Sequence, residues 1–227
     1  LRKFNDPELD FIQRFKRAEI VVEAGSTIFS ENAEHPHLYT ILSGWAFRYK
    51  TLEDGRRQIL NFALPSDLLG LQNAVLKQMR HSVEALTRMT LCVFNRKEVW
   101  PMYRDYPELA LDVTWLAARE EVMLQDNLVS VGRRTAMERV AYVLLHLYCR
   151  AEHLGLTKDD KTYLPITQTH LADALGLSTV HTNKTIQKLT KLEVIRWRQG
   201  TFHMIDKDRL AEIALYRFDE DTPRPFL

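Results

Sequence analysis

Cysteine is scarce: Cys92 and Cys149 are the only two in 227 residues, and they form no Cys-x-x-Cys pair. That excludes a disulfide framework and a cysteine-ligated metal centre within one chain. Glycine and proline are also few, eight of each, which excludes collagen-like and low-complexity sequence. No run reaches the roughly 18 apolar residues that span a bilayer. The opening Leu1-Arg2-Lys3-Phe4-Asn5-Asp6 has no signal-peptide pattern. Neither sign of charge is in excess: 31 Lys and Arg against 30 Asp and Glu leave +1 with neutral histidines. A surface for an anionic partner must therefore be local. Enzyme motifs are missing too, with no Gly-rich phosphate loop, no HExxH and no nucleophile elbow. What remains is a globular composition, 45% hydrophobic and 27% charged, of a chain expected to be soluble and cytoplasmic, without enzyme activity, cofactor or membrane partner.

The chain divides into two kinds of pattern. From about Ala18 to Asn95, short apolar runs are separated by turn signals at Ala24-Gly25, Ser43-Gly44, Asp54-Gly55 and Pro65-Ser66-Asp67. In "LYTILSGWAFRY", Tyr39, Ile41, Trp45, Phe47 and Tyr49 share one parity, as in a strand. Asp54-Gly55 between two such runs signals a hairpin. Regular turns at this spacing predict an antiparallel sandwich or roll. After Pro107 the residues are helix formers without proline or glycine up to Val131. Leu109, Val113, Leu116, Met123, Leu124, Leu128 and Val131 make an apolar stripe that Glu120 interrupts. Such a stripe either packs on its own sandwich or forms a seam between two copies of the chain. Gly132-Arg133-Arg134 then punctuates, and "TAMERVAYVLLHLYCRAEHLG" predicts another amphipathic helix. The tail "DEDTPRPFL" is expected to be loosely ordered.

The most informative stretch runs from Ile166 to Asp206. Thr167 is placed to cap a short helix with Leu171 and Leu175 inward. Gly176 sits where that helix should end in the left-handed conformation, and Leu177 fills the corner. Ser178 caps a second helix with Thr182, Ile186 and Leu189 inward, which together predict a helix-turn-helix. The outward face carries Thr179, Val180, Asn183, Lys184 and Gln187. From Lys184 to Arg198 there are five cations (with Lys188, Lys191 and Arg196) and one carboxylate, Glu193. In a near-neutral chain this is the footprint of a nucleic-acid surface. Asn and Gln pair with adenine, Lys donates to guanine, and a valine meets the thymine methyl. "VIRWR", Gln199-Gly200 and "TFHMI" then predict a two-stranded wing, placing Arg196, Arg198 and Thr201 at the phosphate backbone.

Over nearly its whole length this sequence resembles the Crp/Fnr family of bacterial transcription regulators. The resemblance rests on Gly25, Ile28-Phe29, Tyr39, Ile41, Gly44, Asp54-Gly55-Arg56, Pro65, Asp67 and Gly70, followed by the helix-turn-helix and wing. It implies an α+β architecture: an N-terminal β-roll of the cyclic-nucleotide-binding kind over residues 1–107, a long dimerisation helix over 108–134, and a winged helix-turn-helix over 135–227. It also implies a homodimer on a pseudo-palindromic operator in double-stranded DNA, with the stripe from Leu109 to Val131 as its seam. RNA polymerase is a further expected partner, and the roll is expected to bias the pose of the long helix. His181 is expected at a phosphate. Cyclic-AMP-binding members carry a glutamate after the last of these glycines and an arginine-serine-alanine run for the phosphate. Here the pocket positions are Leu71 and His81-Ser82-Val83. A buried cyclic phosphate without a guanidinium partner is costly, so the expectation is a regulator that binds no cyclic nucleotide. A ligand-dependent sensor of a cyclic nucleotide or of haem, through His35, His37 or His81, is the alternative. No cysteine precedes Cys92, which excludes the cysteine-ligated iron–sulfur cluster of the oxygen-sensing branch within the residues given. Cys149 is a candidate redox-sensitive thiol.

Overall fold

The computed structural model describes residues 4–218; the tail "DEDTPRPFL" lies outside the described residues. By its contacts the chain forms two compact units. Among the described residues, one is built from 4–50 with Asn61–Leu124, the other from Thr51–Leu60 with 125–218.

The first unit opens with α1 (Asp6–Phe15), absent from the sequence expectations although a capping box announces it: Asn5 caps Glu8 N–H and the Glu8 carboxylate returns to Asn5 N–H. The strands follow as β1 (Lys16–Val22), β2 (Thr27–Phe29), β3 (His37–Ser43), β4 (Ala46–Thr51), β5 (Arg57–Ala63), β6 (Leu68–Leu69), β7 (Ser82–Ala85) and β8 (Met89–Asn95), with α2 (Leu71–Leu76) between β6 and β7. They make two four-stranded antiparallel sheets, ordered β1-β8-β3-β6 and β2-β7-β4-β5. The run read as one alternating strand is broken at Gly44, so that β3 and β4 belong to different sheets. Gly44 has φ +89, and a Cβ there would lie 2.6 Å from the Arg88 carbonyl oxygen. Only glycine makes that switch without strain.

The expected one-sided alternation fails in β3 because the sheet it shares with β8 is covered on both faces. Tyr39, Ile41, Leu91 and Val93 point into the core between the sheets, with Phe29, Val83 and Met89. Leu38, Cys92 and Phe94 point the other way, onto a second apolar cluster with Phe11 and Phe15 of α1, Met102 of α3 (Val99–Asp105) and Leu109 and Val113 of α4 (Pro107–Arg133). The Asp54-Gly55 turn forms as expected, closed by Leu52 N–H to the Arg56 carbonyl at 2.8 Å.

α4 is one helix of 27 residues, about 40 Å long at the helical rise. Its first turns correct the expected seam. Leu109 and Val113 are 1% and 4% exposed, buried in the second apolar cluster of their own unit. The stripe is thus at least in part core-facing, the bland alternative, and Glu120 lies on that side because it has a partner there (below). Leu116, Met123 and Val131 are half-buried, while Leu124 and Leu128 are exposed. A different stripe is open: Leu111, Val122 and Val129 are exposed. With Trp115, Ala118 and Gln125 they recur every three or four residues, about 200° round the helix from Leu109.

The second unit continues with α5 (Ala136–His153), capped by a Thr135–Glu138 box, then β9 (Thr157–Lys158), β10 (Lys161–Tyr163), α6 (Gln168–Leu175), α7 (Thr179–Lys191), β11 (Ile195–Arg198), β12 (Thr201–Met204) and α8 (Lys207–Ala214). The strands pair as a third antiparallel sheet, β11-β12-β10-β9. Among the described residues no helix is long and apolar enough to cross a membrane.

Candidate nucleic-acid interface

The helix-turn-helix is built as its sequence dictates. Thr167 caps α6, its hydroxyl accepting from His170 N–H at 3.2 Å while His170 Nδ1 accepts from Thr167 N–H at 3.1 Å. Gly176 takes φ +62 at the far end, and Leu177 N–H reaches back to the Ala172 carbonyl at 3.1 Å, the doubled closure of a helix that stops at a left-handed glycine. Ser178 caps α7 through His181 N–H at 3.2 Å. Thr182, Ile186 and Leu189 are buried as expected; Thr185 joins them and turns its hydroxyl back to the His181 carbonyl at 2.9 Å.

The opposite side of α7 is open. Thr179, Val180, His181, Lys184, Gln187 and Lys188 are exposed, Val180 by 66%, and Asn183 is half-buried. Gln168 of α6, which the sequence reading passed over, brings its Nε2 to 3.5 Å from Asn183 Oδ1. Lys184, Lys188, Arg196 and Arg198 have no ion pair among the described residues. Val180 thus stands open to solvent one helical turn from the unpaired Lys184. The wing forms on a Gln199-Gly200 turn with φ +48 and +79, the left-handed pair that closes a two-residue hairpin. Arg196, Arg198 and Thr201 point outward while Phe202 is buried.

The first unit holds the residues of the expected effector pocket, and they are taken up by their own neighbours. Leu71 packs against the second apolar cluster, Val83 is fully buried in the first, and the Ser82 hydroxyl accepts from Glu31 N–H at 3.0 Å. A guanidinium is present after all, from a position the sequence reading missed. Arg48 of β4 is 4% exposed and donates to Asn61 Oδ1 at 3.0 Å and the Leu68 carbonyl at 2.9 Å, and it pairs with Glu120 of α4 at 3.0 Å. Its charge is already neutralised by a carboxylate. Arg80 is exposed. His35 packs edge-on against His37 and Tyr39, and His37 lies tilted against Tyr39.

His81 is buried, and desolvation, reinforced by the charges of Arg48 and Lys50, lowers its pKa from 6.5 to about 4. The unfolded chain therefore takes up this proton first as pH falls. The contribution of His81 to stability is complete above pH 6.5 and is lost on descending toward 4, about 3 kcal/mol over the window. Burial depresses His35 and His170 in the same direction, so a variant is needed to isolate it. In His81→Gln, urea unfolding between pH 7 and 4 should show a shallower pH dependence by that amount; an unchanged slope would exclude a buried neutral imidazole. Burial also raises the Cys149 thiol above its ordinary pKa, outweighing nearby Lys207. That opposes the thiolate a redox sensor needs.

Comparison with known proteins fits this arrangement. Residues 19–106 match the model of the cyclic nucleotide-binding domain, and residues 138–213 match that of the Crp-like helix-turn-helix domain. The chain is 34% identical to the nitrogen fixation regulation protein FixK of Bradyrhizobium diazoefficiens over 84% of its own length and 79% of that protein's. The chain belongs to the Crp/Fnr family. Another relative, the transcriptional activatory protein AadR of Rhodopseudomonas palustris, is 32% identical over 89% of this chain and 84% of that one. The solved structure of FixK2 from Bradyrhizobium japonicum superposes with a TM-score of 0.79 at 25% identity, covering 86% of this chain and 96% of that one. As a Crp/Fnr protein the chain is a transcription regulator with a helix-turn-helix DNA-binding domain.

Proposed function

We propose that this Crp/Fnr regulator binds a pseudo-palindromic operator as a homodimer, with α7 of each protomer in the major groove, and that it binds no cyclic nucleotide. The observation that carries the reading is the open face of α7, cationic and without ion partners, on a helix whose other face is locked into the domain core. Val180, Asn183, Lys184 and Gln187 are assigned to base edges. Thr167, Ser178, Thr179, His181, Lys188, Arg196, Arg198 and Thr201 are assigned to phosphates, fixing register rather than sequence.

The dimer seam we assign to Leu111, Trp115, Ala118, Val122, Gln125 and Val129, in place of the stripe from Leu109 to Val131. Leu111, Val122 and Val129 are exposed and apolar, and the six alternate by four and three down the helix, the spacing a partner helix buries. The functional division remains roll over 1–107, connecting helix over 108–134 and DNA-binding domain over 135–227. RNA polymerase in the cytoplasm is the further partner, and the protein itself has no catalytic role. The absence of cyclic-nucleotide binding is supported by the pairing of Arg48 with Glu120 at 3.0 Å, which takes up the buried guanidinium beside the expected pocket residues His81 and Ser82.

Selection of bound duplexes from a random DNA pool tests the reading. An inverted repeat with half-sites about one helical turn apart is expected; recovery of unrelated sequences would refute it. Val122→Glu should convert the protein to a monomer by light scattering, because a charge replaces an apolar seam position. Leu128→Glu on the neighbouring face should remain dimeric. The reverse pattern would restore the original stripe.

A further inference from the structure

The four strands of the C-terminal sheet carry an unassigned feature. Their registers align Arg196 opposite His203, His203 opposite Lys161, and Lys161 opposite Lys158. Directly opposed residues share a face, so these four basic side chains form one line across the whole sheet. The alternate ladder, Trp197–Phe202–Thr162–Thr157, shows which face it is. Phe202 and Thr162 are buried and Trp197 and Thr157 half-buried, whereas Arg196, Lys161 and Lys158 are exposed and His203 half-exposed. A second outward ladder, Arg198–Thr201–Tyr163, runs beside the first toward the wing turn.

Like charges directly opposite one another destabilise a sheet, and Lys161 lies directly opposite Lys158. None of the four has an ion partner among the described residues. The carboxylates of Asp159 and Asp160 occupy the tight turn joining Lys158 to Lys161, both at positive φ, without pairing to either lysine. At about 4.8 Å per strand the row spans some 14 Å, the rise of about four nucleotides of one DNA strand.

We propose that this face binds the phosphate backbone of duplex DNA flanking the operator half-site, extending the contact beyond groove and wing. The inference rests on the DNA-binding reading above. Charge complementarity supports it, and so does continuity: Arg196 begins the row, and Arg198 and Thr201 of the adjoining ladder are the wing residues already assigned to phosphates. Lys158 and Lys161 carry the contact outward from there. Being phosphate contacts, they add affinity and salt dependence without sequence preference.

The test uses the full-length protein and the duplex recovered by selection, prepared once with its native flanks and once trimmed to the two half-sites. Lys158→Ala with Lys161→Ala should bind the flanked duplex roughly tenfold more weakly, with a log–log salt slope shallower by about two. It should bind the trimmed duplex like wild type and melt no lower, since repulsion is removed. Wild-type affinity for the flanked duplex, with Lys184→Ala still impaired, would overturn the proposal while leaving the recognition helix in place; an acidic protein surface would then be the occupant. Lys184→Ala binding both duplexes like wild type would instead remove the reading beneath it, and this proposal with it.

Discussion

Replacing Arg48 with alanine is expected to destabilise the first unit by about 3–5 kcal/mol, the cost of breaking a buried ion pair from one side. That corresponds to a fall of roughly 10 °C in its melting midpoint. The guanidinium satisfies three acceptors from separate elements: Asn61 of β5, the Leu68 carbonyl of β6 and the Glu120 carboxylate of α4. Alanine strands all three around a cavity. Asn61 can least tolerate this, because it is buried and its Nδ2 already has no partner among the described residues. Glu120→Gln should cost far less, because that side chain is 30% exposed and the amide oxygen still accepts from Arg48. Arg48→Met combined with Glu120→Leu should recover most of the loss, since an apolar pair of matching volume avoids the desolvation cost. Thermal melts of the three variants separate these outcomes. A loss below about 1 kcal/mol in Arg48→Ala would mean the cluster is hydrated and contributes like a surface pair. The same cluster predicts that titration calorimetry with cyclic AMP or cyclic GMP gives no heat of binding.

The second large effect is on recognition. Asn183→Ala and Lys184→Ala should each weaken operator binding by about 1–3 kcal/mol, or five- to more than a hundredfold, while dimer mass and melting stay at wild-type values. The dissociation of affinity from stability follows from weak internal bonding: Lys184 is outward and unpaired, and half-buried Asn183 makes a side-chain hydrogen bond only to Gln168, at 3.5 Å, among the described residues. Asn183→Ala should also narrow the ratio of operator to random-sequence affinity, because an amide reads base edges whereas phosphate contacts do not. Binding assays on both duplexes measure it. Operator affinity equal to wild type in both variants would remove α7 from the groove.

Much of this was legible because local chemistry sufficed. Gly55 and the Gln199-Gly200 pair close hairpins through positive φ. Thr167, Gly176 and Ser178 bracket two helices so closely that only a helix-turn-helix fits between them. The outward Val180 and Lys184 follow from the inward Thr182, Ile186 and Leu189 by helical period alone.

The long helix shows where sequence ends. It carries two apolar stripes, one through Leu109 and Val113 and one through Leu111 and Val122, and periodicity identifies stripes without identifying what covers them. Tertiary structure gave Leu109 and Val113 of the first to the protein's own core and left Leu111, Val122 and Val129 of the second open. Arg48 is a parallel case: an arginine in an alternating strand reads as solvated until a carboxylate 72 positions away is seen to meet it. The basic row on the C-terminal sheet was invisible for the same reason, since Arg196, His203, Lys161 and Lys158 become neighbours only through strand register. Sequence by itself determined the long helix, the helix-turn-helix, the turns and the outward face of α7, since these follow from dihedral preference and spacing within a few residues. Which surfaces are covered, which charges are paired and which bases stand in line depended on contacts between distant segments, and only the tertiary structure decided them.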